Sequence, residues 1–194
     1  MRRATLHRLA VALAAIAGAG CVASALAHDA GEVVARSGSW RATLVSAADP
    51  APGVRITLLP GRVPGLFLES SSADPVVVLG RSGEPFLRFS PRGVEANVHS
   101  PIWRENALAS GRSVPALADP QAPAEWQRVS RSPRLGWIEF RAWPGTDEPS
   151  AQALRRGGHP PRWAWSIPAR VGNRPISFFG LTTWQPARPR QAAR

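Results

Sequence analysis

Between residues 40 and 184, short apolar runs alternate with Pro and Gly, and apolar side chains almost nowhere recur at the spacing of an amphipathic helix. Many runs alternate apolar with polar residues, as in Phe86-Leu87-Arg88-Phe89 and Trp163-Ala164-Trp165-Ser166-Ile167. A strand with one buried face reads this way. Strands are accordingly predicted at 40–45, 54–59, 66–69, 76–79, 86–89, 94–98, 137–143, 163–167 and 176–184. Prolines recur from Pro50 to Pro189 and leave little room for helices of ordinary length. Gly172-Asn173, two residues that tolerate positive φ, predict a hairpin turn within 169–175. Short strands joined by Pro/Gly turns predict an all-β antiparallel β-sandwich, immunoglobulin-like in style, with a barrel as the alternative. Residues 100–135 hold Pro101, Pro115, Pro120, Pro123 and Pro133 and are expected to form a long Pro-rich loop. Trp103 and Trp126 would pin it to the sandwich.

The N-terminus follows different rules. Arg2, Arg3 and Arg8 flank the start of an unbroken run of small and apolar residues at 9–20, and Ala25-Leu26-Ala27 has the small-x-small form of a cleavage site. The expectation is an export signal at 1–27, a β-sandwich domain at 28–187 and a disordered Arg-rich tail at 188–194. The mature protein is then periplasmic or secreted. Cys21 after Ala19-Gly20 offers a lipid-anchored alternative, although Gly18 stands where such a motif carries a branched aliphatic residue. The run is too rich in Ala and Gly for a stable span, so no transmembrane segment is expected in the mature chain.

Composition narrows the chemistry. The 194 residues include 24 Arg, no Lys and 13 acids, for a net charge of +11; removing 1–27 takes away three Arg and leaves +8. Exclusive use of Arg points to coding bias more than to selection for a basic surface. Outside the cytoplasm this excess suits an anionic envelope surface better than nucleic acid. Met1 and Cys21 both lie within 1–27, so the mature chain has no thiol. That excludes cysteine catalysis, thiolate metal sites and disulfides. No phosphate-binding glycine loop, dinucleotide fingerprint or zinc-protease motif occurs, and Gly80-Arg81-Ser82-Gly83 is not a nucleophile elbow. Glu84 and Glu139 supply two carboxylates of the kind glycoside hydrolysis uses, at a separation a sequence does not give. The expectation is a non-enzymatic protein.

One stretch carries a resemblance. Val78-Leu79-Gly80-Arg81-Ser82-Gly83-Glu84-Pro85-Phe86-Leu87-Arg88-Phe89 continues into Pro91-Arg92-Gly93-Val94-Glu95-Ala96-Asn97 and Ser100-Pro101. It resembles the signature of a family of uncharacterised bacterial exported and membrane-associated proteins, with Gly-Glu-Pro as its most specific part. Mature members commonly open with His-Asp, as His28-Asp29 does here. Many carry a Trp-His-Asp-His-Arg segment, which in this chain reads Trp137-Ile138-Glu139-Phe140-Arg141, with both imidazoles replaced. The resemblance implies export and fold class and brings no activity with it.

Three groups of residues are candidates for binding. Glu84, Arg88, Asn97 and His99 surround the Gly-Glu-Pro turn; strand periodicity puts Arg88 on the face of Phe86, and Glu84 with Arg88 reads as a ligand contact or an ion pair. On the predicted strand 137–143, Ile138 and Phe140 would face the core. Trp137, Glu139, Arg141 and Trp143 would then form a surface stripe, which together with Trp163 and Trp165 suggests a glycan-binding module. The third group is metallic: the α-amine and imidazole of His28 form a chelate that, completed by His99, suits copper. The expected role is an accessory or binding protein of the cell envelope, acting on an envelope protein or polymer.

Overall fold

A computed structural model describes residues 38–47, 51–113, 118–155 and 159–187, all within the unit Arg36–Arg194. The expected export signal, His28, Cys21 and the tail at 188–194 lie outside the described residues. The described chain forms two antiparallel sheets. The larger is seven-stranded and contains β1 (Gly38–Ala47), β4 (Val76–Leu79), β5 (Pro85–Ser90), β6 (Gly93–Asn97), β7 (Trp126–Ser130), β9 (Arg162–Val171) and β10 (Arg174–Pro186). Its spatial order is β1-β10-β9-β4-β5-β6-β7. The smaller sheet is β2 (Val54–Leu59), β3 (Gly65–Ser70) and β8 (Arg134–Ile138), in that order. The chain is therefore an antiparallel sandwich-like all-β fold, with its own strand numbers and order rather than those of an immunoglobulin domain.

The core follows from alternation. In β10 Ile176, Phe178, Gly180, Thr182 and Trp184 are buried while the residues between them are partly or fully exposed. The same rule buries Trp165, Ile167 and Ala169 of β9 and Leu66 and Leu68 of β3. Trp137 of β8 bridges the sheets, its ring edge-on to Phe86 at 6.1 Å and tilted against Phe89 at 6.5 Å. The predicted hairpin forms, with Val171 paired to Arg174 across Gly172 at φ 57° and Asn173.

Some expectations are corrected. The long Pro-rich loop at 100–135 is interrupted by a helix, α1 (Pro101–Ala109), and by strand β7. Pro101 occupies the first turn of α1, where a missing N–H costs nothing. Only Ile102, Asn106 and Ala107 of α1 are buried, too narrow a stripe to register as helical periodicity. Trp103 and Trp126 do pack down: Trp103 against the core and Trp126 under the guanidinium of Arg88, 4.3 Å from its ring centre. The predicted strand 137–143 is shifted. β8 ends at Ile138 and a 3-10 turn, Phe140–Ala142, follows. Arg88 does not share a face with Phe86, because the β4–β5 register slips between Val78 and Leu79. That irregularity buries Phe86, Leu87 and Phe89 together and leaves Arg88 half-exposed. Among the described residues no helix is long and apolar enough to cross a membrane.

Candidate functional site

The Gly-Glu-Pro turn is architectural. Gly80 N–H donates to the Glu84 carbonyl at 2.7 Å and Gly83, at φ 82°, closes the turn onto Gly80 O. A side chain on residue 80 would overlap the Glu84 carboxylate, so this carboxylate folds back over its own turn only because Gly80 lacks a Cβ. Glu84 is buried; it accepts from Ser82 N at 3.0 Å and from Ser100 Oγ at 3.0 Å. Ser100 precedes α1 yet makes no side-chain capping bond, because its hydroxyl is committed to Glu84. Asn97, also buried, donates to Pro85 O and accepts from the backbone N–H groups of His99 and Glu125. The expected Glu84–Arg88 ion pair is absent: Arg88 pairs with Glu95 at 2.8 Å across β5–β6, on the opposite side of the bulge.

The first half of the expected surface stripe, Trp137 and Glu139, is turned inward. Period-two alternation correctly puts Trp137 and Glu139 on one side, but that side is the core: Trp137 is 6% exposed and Glu139 0%. The charge is tolerated because donors fill the carboxylate. Trp137 Nε1 reaches Oε2 at 2.9 Å, and Arg141 contributes its backbone N at 3.0 Å, Nε at 2.7 Å and Nη2 at 2.8 Å. Four donors match the acceptor capacity of an ionised carboxylate. Arg141 Nη1 continues to the Leu79 carbonyl in β4 at 2.8 Å, so the pair rivets the smaller sheet to the larger. Ile138, expected in the core, points the other way. Its N–H and C=O are both paired by the Asn106 side chain, at 2.7 and 3.1 Å, which substitutes for a neighbouring strand at the edge of β8.

The 3-10 turn is also held from β9. Trp163 Nε1 donates to Arg141 O at 2.8 Å. One residue on, Ala142 O accepts from Thr182 Oγ1 at 2.6 Å, and that hydroxyl accepts from Trp165 Nε1 at 3.1 Å. Trp165 lies across Gly180, where any Cβ would overlap its ring. Trp163 and Trp165 share a face as expected, yet only Trp165 is covered; Trp163 sits near the strand end and is 45% exposed.

Two grooves meet at Trp143. One of about 440 Å³ is walled by Phe140, Arg141, Trp143 and Trp163, with Arg81 and Glu105 at its edge. The other, about 310 Å³, lies between β1 and the β2–β3 connection and is lined by Trp40, Leu58, Arg62, Asp147 and Trp143. Arg81 and Glu105 form an ion pair at 2.6 Å. Arg62 and Asp147 form a two-point pair, Nε to Oδ1 at 2.9 Å and Nη2 to Oδ2 at 2.7 Å. The hydrogen bonds to Asp147, and then its charge, hold the Arg62 guanidinium above its ordinary pKa. Of the residues singled out in the sequence, Arg141, Trp143 and Trp163 reach these grooves; Glu84, Arg88, Asn97, His99, Trp137, Glu139 and Trp165 line neither. Trp40, Ser100, Asn106 and Thr182 were missed, and only Ser100 carried a local signal, a serine directly before proline.

His99 Nδ1 lies 2.9 Å from the Pro123 carbonyl and Nε2 3.5 Å from Glu125 Oε2. Among the described residues no cluster of three potential ligands (His, Cys, Asp or Glu) forms. In comparisons with known proteins, no family model, no curated protein and no solved structure matches the chain.

Proposed function

We propose that this is an exported, non-enzymatic binding or accessory protein of the bacterial cell envelope, periplasmic or secreted. Its partner, an envelope protein or polymer, binds in the grooves on either side of Trp143. One observation carries the reading: Trp163 is nearly half exposed, yet its indole is tethered to Arg141 O. An aromatic ring held rigid in water loses little entropy when a partner covers it. The Glu139–Arg141 pair, which fixes Arg141, is then a positioning device and not a ligand contact. A non-enzymatic role is supported by the commitments of Glu84 and Glu139, whose carboxylate oxygens accept from interior donors. The family suggested by the Gly-Glu-Pro signature belongs to the same proposal. Gly80, Glu84, Asn97 and Ser100 each have a defined part in one buried hydrogen-bonded unit. The test is co-sedimentation of purified protein with isolated envelopes. Trp163→Ala is expected to weaken it about tenfold or more while the fold is retained; undiminished sedimentation of the variant refutes the site.

The copper reading keeps one observation in its favour. Donation from Nδ1 to Pro123 O would leave the Nε2 lone pair of His99 available beside Glu125. Native mass spectrometry of exported protein, with and without equimolar Cu(II), tests it together with export. A chain beginning at His28 and holding one copper supports both; a chain beginning at His28 without copper sinks the metal site alone.

A further inference from the structure

Resting on the envelope-binding reading, we infer that the two grooves are adjoining subsites for successive sugar rings of a neutral polysaccharide, with Trp143 as their common wall. Each groove combines the same elements. One offers Trp143 and the tethered Trp163 as apolar faces with the Arg81–Glu105 pair beside them; the other offers Trp143 and Trp40 with the Arg62–Asp147 pair. A pyranose has matching chemistry, an apolar face of C–H groups and a rim of hydroxyls. Indole faces accept the first, and side chains that present both donors and acceptors suit the second. At about 440 and 310 Å³ both grooves fall within the usual range for small-ligand sites, about 300–1,000 Å³.

Charge selects among possible occupants. The chain carries 24 Arg against 13 acids, yet at the grooves three of the four lining cations are paired with a carboxylate. Arg62 is neutralised by Asp147, Arg81 by Glu105 and Arg141 by Glu139, while Arg41 donates to Gln185. Without breaking an ion pair, an anionic polymer would meet only Arg41, whose partner Gln185 is uncharged, and a lipid chain would meet charged edges it does not satisfy. A neutral, hydroxyl-rich chain is under neither limit. The Arg62–Asp147 contact uses Nε and Nη2 of the guanidinium, and Arg62 is 62% exposed. Its remaining terminal nitrogen is placed to donate to a sugar hydroxyl.

The experiment uses the exported protein and isolated envelopes treated separately with periodate, which cleaves vicinal diols, and with protease. A second arm follows tryptophan fluorescence during titration with glucose and its 1,4-linked oligomers from two to six units, whose rings keep the 2,3-diol that periodate cleaves. Periodate is expected to abolish envelope binding and protease to spare it. The dimer is expected to bind about tenfold more tightly than the monomer, because a second ring fills the second groove. Trp163→Ala and Arg62→Ala should each return the dimer to monomer affinity. If Trp163-dependent envelope binding is lost to protease and spared by periodate, the glycan inference is overturned and the envelope reading stands. Oligomers that bind no better than the monomer overturn the two-subsite arrangement. Envelope binding unaffected by Trp163→Ala overturns both.

Discussion

Replacing Glu139 by Gln preserves the shape of the side chain and removes its charge, which isolates the role of the buried pair. The wild-type carboxylate only accepts: two donors converge on Oε1 and two on Oε2. An amide has one acceptor oxygen, so in either orientation its NH₂ group faces two N–H donors. Breaking one side of a buried ion pair costs about 3–5 kcal/mol. The lower half of that range is expected, since Arg141 is 11% exposed and its charge is partly hydrated. For a folded unit of this size, each kcal/mol moves Tm by about 2–4 °C, giving a fall of about 6–16 °C. Near-UV circular dichroism during thermal unfolding reads this directly, and urea titration should show a lower midpoint at unchanged slope. The control is Glu105→Gln, which breaks an exposed pair with Arg81 and should cost less than about 1 kcal/mol. A Glu139→Gln protein melting within about 2 °C of wild type would refute the argument that this carboxylate rivets the sheets.

The other predictions concern neighbouring parts of the same framework. Gly180→Ala pushes a methyl into the buried ring of Trp165, and overpacking of this kind costs about 1–3 kcal/mol; chemical denaturation should report it, and an unchanged midpoint would mean the ring has room to move. Asn106→Leu leaves the N–H and C=O of Ile138 without their partners, at about 1–3 kcal/mol for each group. Amide exchange at Ile138 should accelerate strongly, and unaltered protection there would show that another group takes over. Trp163→Ala, although expected to weaken binding strongly, should shift Tm by only a few degrees, because nearly half of the side chain is already in water. A collapse of the fold in that variant would make Trp163 a structural residue first.

The β-architecture was legible because alternation is local. The predicted runs at 54–59 and 76–79 coincide with β2 and β4, and most of the others fall within or against an observed strand. The misses share a cause. α1 owes its existence to three buried contacts and to a proline whose position in the first turn makes it harmless, and a helix this short is stabilised by packing more than by propensity. At 137–143 alternation separates the two faces but does not say which is inner: the apolar pair Ile138 and Phe140 points to the wrong one, and Trp137 and Glu139 are the buried residues. Glu139 enters the core only because Arg141 folds back onto it after β8 has ended.

Taken alone, the sequence determined strand character, the 169–175 hairpin, the grouping of Trp137 with Glu139 and of Trp163 with Trp165, and the absence of a thiol after residue 27. These are properties of composition or of neighbours a few positions apart. Tertiary structure alone decided which face lies inside, where the β4–β5 register slips, and that Trp143 separates two grooves. Those outcomes depend on partners remote in the chain. Arg141 reaches the carbonyl of Leu79, 62 residues away, and Asn106 reaches Ile138 across 32. Whether a buried charge or a strand edge is tolerable depends on the donors and acceptors that packing brings to it, and no local pattern encodes their arrival.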